Sequence, residues 1–121
     1  MNIATKHHLG RFELALNVAD IAASFIFYRK LGFDCISGSI AGQCITLEHG
    51  NCSITLYEGY INHNLLNFRG GDIPAIAERL AMTGLTFTRG PEADADGNRS
   101  LLLIDPDGNE IYLVYHPSEE K

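Results

Sequence analysis

Three cysteines carry the most reactive side chains of this sequence. Cys35, Cys44 and Cys52 are odd in number and stand nine and eight positions apart. This spacing matches neither a disulfide framework nor a C-x-x-C metal or redox pair. No histidine or lysine adjoins them in the sequence to activate a thiol. We therefore expect reduced cysteines that pack as small apolar side chains.

Two acidic stretches carry the oxygen ligands that hard cations prefer. Residues 92–96 read Glu-Ala-Asp-Ala-Asp, and Asp105 and Asp107 flank a proline before Gly108. The first stretch lacks the remaining ligands and the distant bidentate glutamate of a calcium loop. The second has the residues of a β-turn in which glycine takes a positive φ. We interpret the first as a solvated loop and the second as a turn.

The overall composition predicts one globular domain. The chain has 121 residues, of which 45% are hydrophobic and 20% charged, and this length buries a core without disulfides or a metal. Its formal charge of −6 disfavours nucleic acid and anionic lipid as partners. No apolar run has the length of a membrane span, and residues 1–10 lack the apolar segment of a signal peptide. We expect a cytoplasmic protein.

An internal repeat organises the chain. Asp20 precedes a helical pattern that ends at Gly32, and Asp72 precedes one that ends at Gly84, so both pairs differ by 72 − 20 = 84 − 32 = 52 positions. In each half a strand pattern comes before the aspartate. An aspartate caps the start of a helix and a glycine its end. The repeat predicts two copies of one strand–helix–strand unit.

Each predicted helix is followed by a predicted hairpin. Residues 44–48 and 52–57 alternate in polarity around a tight connection at residues 49–51. Residues 99–104 and 110–115 do the same around the turn at residues 105–109. We predict an α+β fold with two tandem βαβββ modules, about residues 11–58 and 64–116, joined by a short linker. Because neither half buries both faces of its own sheet, residues 1–121 should form a single domain.

Two motifs add a family resemblance to this architecture. F-Y-x-x-L-G-F at residues 27–33 and D-P-D-G-N-x-I at residues 105–111 stand in the two halves of the repeat. With them, residues 12–115 resemble the vicinal oxygen chelate superfamily, which includes glyoxalase I, extradiol dioxygenases and bleomycin resistance proteins. The resemblance implies a cupped mixed sheet with helices on its convex face and a ligand in the cup. It also implies, in many members, a divalent metal held by four His or Glu side chains.

The four positions that the resemblance assigns to metal ligands carry a poor donor set. They are Glu13, Thr55, Leu65 and Tyr112. Only the glutamate suits a hard metal, since leucine has no donor, threonine is a weak neutral ligand and a phenol would have to ionise. We therefore expect no metal and no other cofactor. A rearranged site stays open as an alternative, and its candidate ligands are His63, Glu58 and His116.

The same register gives a lining for the implied cup. If Glu13 faces the cup, alternation along the strand places Ala15 and Asn17 beside it and turns Leu14 and Leu16 to the helix layer. The matching strand of the second module then presents alternate residues from Leu65 onward. The predicted ligand-binding residues are Glu13, Asn17, Thr55, Tyr57, Leu65, Asn67, Arg69 and Tyr112.

The chemistry of this lining leaves three possible states of the Glu13 carboxyl group. An ionised carboxylate in a cleft is costly, so Glu13 should pair with Arg69, take up a proton or meet a cationic ligand. Tyr57 and Tyr112 offer aromatic faces to a planar or cationic ligand, and Asn17 offers a donor and an acceptor to an amide. An internal contact between Glu13 and Arg69 or Tyr112 would instead close the cup.

These observations favour a metal-independent small-molecule binding protein of the bleomycin resistance type. We expect a homodimer and a ligand that is cationic or rich in amides. The alternative is a lyase, isomerase or dioxygenase that uses a rearranged divalent-metal site or Glu13 as its general base. A third interpretation is a regulatory protein with an empty cup. The sequence does not specify the ligand, or whether the modules pair within one chain or across a swapped dimer.

Overall fold

A computed structural model describes residues 8–119 of the protein. Residues 1–7, which are most of the segment searched for a signal peptide, lie outside the described range. Strand, helix and three strands follow one another twice along the chain, which confirms the predicted α+β fold of two tandem βαβββ modules. The elements are β1 Gly10–Asn17, α1 Ile21–Leu31, β2 Asp34–Ser39, β3 Cys44–His49, β4 Cys52–Tyr57, β5 Leu65–Gly70, α2 Ile73–Ala81, β6 Arg89–Ala93, β7 Arg99–Ile104, β8 Glu110–Tyr115 and a 3-10 turn at Pro117–Glu119.

The described chain divides into two compact units. Residues 13–65 form one, which we call the N-terminal unit, and residues 8–12 with 66–119 form the other, the C-terminal unit. Each has its own helix, sheet and hydrophobic core. The prediction that both belong to one domain stays a prediction.

The N-terminal unit has the strand order β2-β3-β4-β1. Strand β1 runs parallel to β4, and the other neighbours are antiparallel. Leu14 and Leu16 of β1 stand opposite Ile54 and Leu56 of β4, and all four pack in the core beneath α1. The predicted apolar side of β1 therefore does face the helix, because side chains alternate between the two faces of a strand.

Side chains from two places satisfy the start of α1. The Asp20 carboxylate accepts from the Ala23 N–H at 3.2 Å, as the repeat predicts. The Glu58 carboxylate accepts from the Ile21 N–H at 2.9 Å and, through its other oxygen, from Gln43 Nε2 at 3.0 Å. At the other end, Gly32 takes the left-handed conformation with φ 112° and closes the helix.

The C-terminal unit has the strand order β5-β8-β7-β6. Its core joins Ile73, Ile76 and Ala77 of α2 to Leu101, Leu103 and Leu113 of β7 and β8. The Asp72 carboxylate caps α2 by accepting from the Ala75 N–H at 3.2 Å. The helix ends at Ala81 and its cap is Met82 rather than the predicted Gly84, because the Thr83 N–H and hydroxyl both donate to the Leu80 carbonyl and tighten the last turn.

The cysteines differ from the sequence-based expectation in their burial. They form no disulfide, as predicted, but Cys35 and Cys52 are exposed. Every residue of β2 is exposed, since β2 is the last strand of its sheet, and Cys52 directly follows the hairpin turn. Within residues 8–119, no helix is both long enough and apolar enough to cross a lipid bilayer.

A pair of glycines tests how tightly β2 approaches β3. Gly38 in β2 has φ +86°, and a Cβ there would lie 2.1 Å from the Cys44 carbonyl oxygen. Gly59 has nearly the same φ, +87°, but no atom within 4 Å of a Cβ. Both Gly→Ala changes strain the backbone, and only Gly38→Ala also forces the strands apart. We expect Gly38→Ala to lower the free energy of unfolding by about 1–3 kcal/mol more than Gly59→Ala.

Urea denaturation of the two variants measures this difference. Equal losses of unfolding free energy in the two variants would mean that β2 moves away from the Cys44 carbonyl without an energetic cost.

Candidate functional site

The polar face of the N-terminal unit lies opposite α1. Glu13, Ala15 and Asn17 alternate with the core leucines of β1, and Ala15 stands opposite Thr55 of β4. Glu13 is 2% exposed and Thr55 1%. The Thr55 hydroxyl forms a 3.0 Å hydrogen bond with the Thr46 hydroxyl of β3. This face thus holds a buried carboxylate beside a buried hydroxyl that already has a protein partner.

The linker that follows β4 closes the end of this face. Asn17 Nδ2 donates to the Asn62 carbonyl at 3.2 Å, and its backbone N–H donates to Asn64 Oδ1 at 2.9 Å. Tyr57, opposite Asn17, packs edge-on against Tyr60 with ring centroids 6.0 Å apart. Asn17 therefore ties β1 to the chain that follows β4.

The polar face of the C-terminal unit is defined by the same alternation. Phe68 packs against the core beneath α2, so its neighbours Asn67 and Arg69 point to the opposite face. Asn67 is buried and Arg69 half-buried. In β8, Leu113 belongs to the core, so Tyr112 and Val114 lie on the polar face as well. Leu65, at the start of β5, is half-buried.

A cleft of about 510 Å³ opens on this polar face of the C-terminal unit. Strand β8 contributes Tyr112 and Val114, and Ser100 of β7 stands directly opposite Val114. Of the ligand contacts predicted from sequence, Tyr112 is among the residues that line the cleft. The full lining is Glu92, Ala93, Asp94, Asn98, Arg99, Ser100, Tyr112, Val114 and His116.

One wall of the cleft is a loop held together by Asp94. One carboxylate oxygen of Asp94 accepts from the backbone N–H groups of Asp96 and Asn98, at 2.9 and 3.0 Å. The other accepts from Asn98 Nδ2 at 3.0 Å. These bonds from the Asn98 side chain and backbone hold the pKa of the Asp94 carboxyl below its ordinary value of 3.8. The acidic stretch is thus a loop built around one of its own carboxylates.

The sequence D-x-D-G-N occurs twice in this unit and folds the same way both times. Asp105 accepts from the N–H groups of Asp107 and Asn109 at 2.9 and 2.8 Å and from Asn109 Nδ2 at 2.9 Å. Gly97 and Gly108 both take a positive φ, 87° and 93°. The interpretation of Asp105 and Asp107 as turn residues is confirmed. The first copy lines the cleft and the second joins β7 to β8.

A hydrogen bond of Asn98 connects this loop to a histidine. Asn98 Oδ1 lies 3.0 Å from Nδ1 of His116, which follows β8. On the opposite side of the cleft, the Glu92 carboxylate lies 3.5 Å from Arg89 Nε. Sequence reasoning named His116 only as an alternative metal ligand, and it did not connect Asn98 or Ser100 with a site. The cross-strand pairing of Ser100 with Val114 was the signal that could have found one of them.

The donors of the described residues do not fit the metal that the family resemblance implies. Of the four ligand positions, Thr55 has a hydroxyl that is hydrogen-bonded to Thr46, and Leu65 has no atom that could bind a metal. The alternative ligands are also engaged, since Glu58 caps α1 and His116 bonds Asn98. Between residues 8 and 119, no three His, Cys, Asp or Glu side chains are grouped closely enough to hold one ion.

Comparison with solved structures identifies the fold. An NAD-dependent benzaldehyde dehydrogenase from Legionella pneumophila superposes with a TM-score of 0.70 at 14% identity, over 87% of this chain and 98% of that one. A glyoxalase/bleomycin resistance protein/dioxygenase superfamily member from Vibrio splendidus superposes with a TM-score of 0.63 at 16% identity, over 87% and 97%. The chain has the vicinal oxygen chelate fold.

Sequence likeness adds little to this result. An integron cassette protein from V. cholerae is 30% identical over 85% of this chain and 91% of that one, with a TM-score of 0.36. No family model and no curated protein matches the sequence. The function of this chain therefore has to be argued from its own site.

The twin loops allow the cleft wall to be tested against a matched control. Because the folded pKa of Asp94 is lowered, the loop's contribution to stability is present above about pH 3.8 and lost as the pH falls through the lowered pKa. The same holds for Asp105. Carbon-detected NMR titration should give both carboxyls a midpoint below 3.8.

Replacement of either aspartate by alanine should free its loop. We expect Asp94→Ala to shift the ring resonances of His116, because Asn98 is then no longer held in place, and Asp105→Ala to leave them unchanged. A His116 spectrum that does not respond to Asp94→Ala would show that the loop does not position the histidine.

Proposed function

We propose that this protein binds an organic small molecule without a metal ion, and that Tyr112 and the cleft around it hold the ligand. The observation that carries the proposal is the cleft itself, in which an aromatic ring and a valine adjoin a hydrogen-bonding wall. Its volume of about 510 Å³ falls within the range typical of small-molecule sites. The structural likeness to a glyoxalase/bleomycin resistance protein/dioxygenase superfamily member supports the same class of function.

The groups around the cleft favour a cationic or amide-rich ligand. Glu92 and Asp94 supply two carboxylates, Arg99 also lines the cleft, and the Arg89 guanidinium lies 3.5 Å from Glu92. The attraction of a cation therefore depends on the Tyr112 ring and on the charge of the whole chain. The face of the Tyr112 ring attracts a cation through its quadrupole, and Asn98 and Ser100 match the donors and acceptors of an amide. The chain's charge of −6 raises the local concentration of cations by long-range attraction.

The remaining sequence-based predictions form part of this proposal. The further predicted ligand contacts are Glu13, Asn17, Thr55, Tyr57, Leu65, Asn67 and Arg69. We also propose a cytoplasmic homodimer that binds neither nucleic acid nor membrane.

A thermal-shift screen with cationic antibiotics and aromatic amines tests the binding function. A compound that binds only the folded state raises the melting temperature by mass action. For a compound that does so, Tyr112→Ala should raise the Kd by about 10–100-fold, because the aromatic face is lost. Tyr60→Ala removes an exposed tyrosine of the other unit and should leave the Kd unchanged.

Metal independence is measured in the same assay. Addition of a chelator should not change the ligand-induced shift, since the described donors do not form a metal site. A stoichiometric transition metal that survives gel filtration, and whose removal abolishes the shift, would contradict the proposal.

A second candidate function rests on the burial of Glu13. A carboxylate that is 2% exposed, next to a buried hydroxyl, is a suitable general base for a lyase or isomerase. If a compound from the screen is turned over, Glu13→Gln should abolish turnover, whereas Glu58→Gln, at a carboxylate that caps α1, should retain it. Unchanged turnover in Glu13→Gln would remove this residue from the mechanism.

A further inference from the structure

Helix α1 carries two apolar stripes on opposite sides. Ile21, Phe25 and Tyr28 pack into the core of the N-terminal unit. The second stripe, Ala23, Ile26, Phe27 and Leu31, follows helical spacing on the outer side. Its large members are 53%, 59% and 59% exposed. The outer face of a surface helix is normally polar, whereas on α1 Ser24, Arg29 and Lys30 are the polar residues among eleven.

The internal repeat provides a control for this observation. With the offset of 52, Ile26 and Phe27 correspond to Glu78 and Arg79 of α2. Both helices pack their inner stripe in the same way, on the apolar face of their own sheet. Helix α2 therefore shows that this packing does not require apolar residues on the outside. The outer stripe of α1 needs an explanation of its own.

The charges of α1 indicate what covers the stripe. The exposed Asp20 precedes its first turn, and its last turn carries Lys30 and also Arg29, which lies 3.9 Å from the Asp34 carboxylate. Ile26 is the central residue, since (21 + 31)/2 = 26. If a second copy of α1 lies antiparallel across a two-fold axis at Ile26, each acidic end meets a basic end and the two helix dipoles oppose each other favourably. A two-fold interface requires such self-complementarity.

We propose that the outer stripe of α1 is the homodimer surface of this protein, in which Ala23, Ile26, Phe27 and Leu31 pack against the same residues of a second copy. This inference rests on the homodimer of the proposed function and names its surface. Phe27 is oriented for the contact by an edge-to-face packing on Tyr28, with centroids 5.2 Å apart. Large aromatic and aliphatic side chains of this kind dominate the binding energy of interfaces.

Sedimentation of the full chain tests the surface with residues taken from its own repeat. The wild type should be a dimer. The double variant Ile26→Glu/Phe27→Arg, which gives α1 the outer residues of α2, should raise the dimer Kd by at least about a hundredfold, with an unchanged circular dichroism spectrum. Met82→Glu alters a side chain that is 84% exposed and should leave the dimer intact.

A charge reversal tests the antiparallel arrangement separately. Lys30→Glu should weaken the dimer because it places two acidic ends together, and the loss should shrink at high salt. Adding Asp20→Asn should restore part of the affinity, since asparagine still caps the helix but carries no charge.

The outcomes distinguish failure of this inference from failure of the proposed function. A dimer that withstands Ile26→Glu/Phe27→Arg overturns the α1 surface and leaves the homodimer standing. A monomeric wild type at the highest soluble concentration overturns both, as does a wild type whose monomer sediments with anionic lipid vesicles. Neither result touches ligand binding, which the Tyr112→Ala comparison measures independently.

Discussion

The alternation of side chains along the strands is the constraint on which the rest of this structure depends. Leu14 and Leu16 of β1 must face α1 to complete its core, and this requirement turns Glu13 and Asn17 to the opposite face. A shift of one residue would reverse every side chain and bury the carboxylate among leucines. The same constraint in β8 puts Leu113 in the second core and Tyr112 in the cleft. The polar faces are therefore a consequence of core packing.

The cleft adds a loop to that strand geometry. Neighbouring carboxylates repel one another, but the Asp94 carboxylate accepts three hydrogen bonds from its own loop. Asn98, fixed by this carboxylate, then holds His116. The twin loop around Asp105 uses the same contacts merely to turn the chain. One local motif thus serves as a site wall in one place and as a connection in the other.

The two halves of the repeat start their helices alike and differ on both helix sides. Asp20 and Asp72 cap the two helices in the same way, and both helices bury an isoleucine at the first position. Further along the inner side, Phe25 corresponds to Ala77 and Tyr28 to Leu80, so the two cores are filled differently. Positions that packing within a unit does not determine differ as well. They include Ile26 and Phe27 against Glu78 and Arg79, and the four positions at which the superfamily resemblance places a metal. The residues that we propose for ligand binding and for dimer formation therefore include positions that core packing does not determine.

The sequence by itself determined the features that depend on near neighbours. The caps at Asp20, Asp72 and Gly32, the hairpins and the alternation of β1 all follow from interactions over a few residues, and each is present in the structure. The composition of the cleft was not accessible in this way, because Asn98 and His116 lie 18 positions apart and meet only when β7 and β8 pair. Asn17 likewise bonds to the linker 45 residues away, and Glu58 caps a helix 37 residues before it. Several groups of the chain could form a hydrogen bond with the same polar atom, and the tertiary structure determines which of them does.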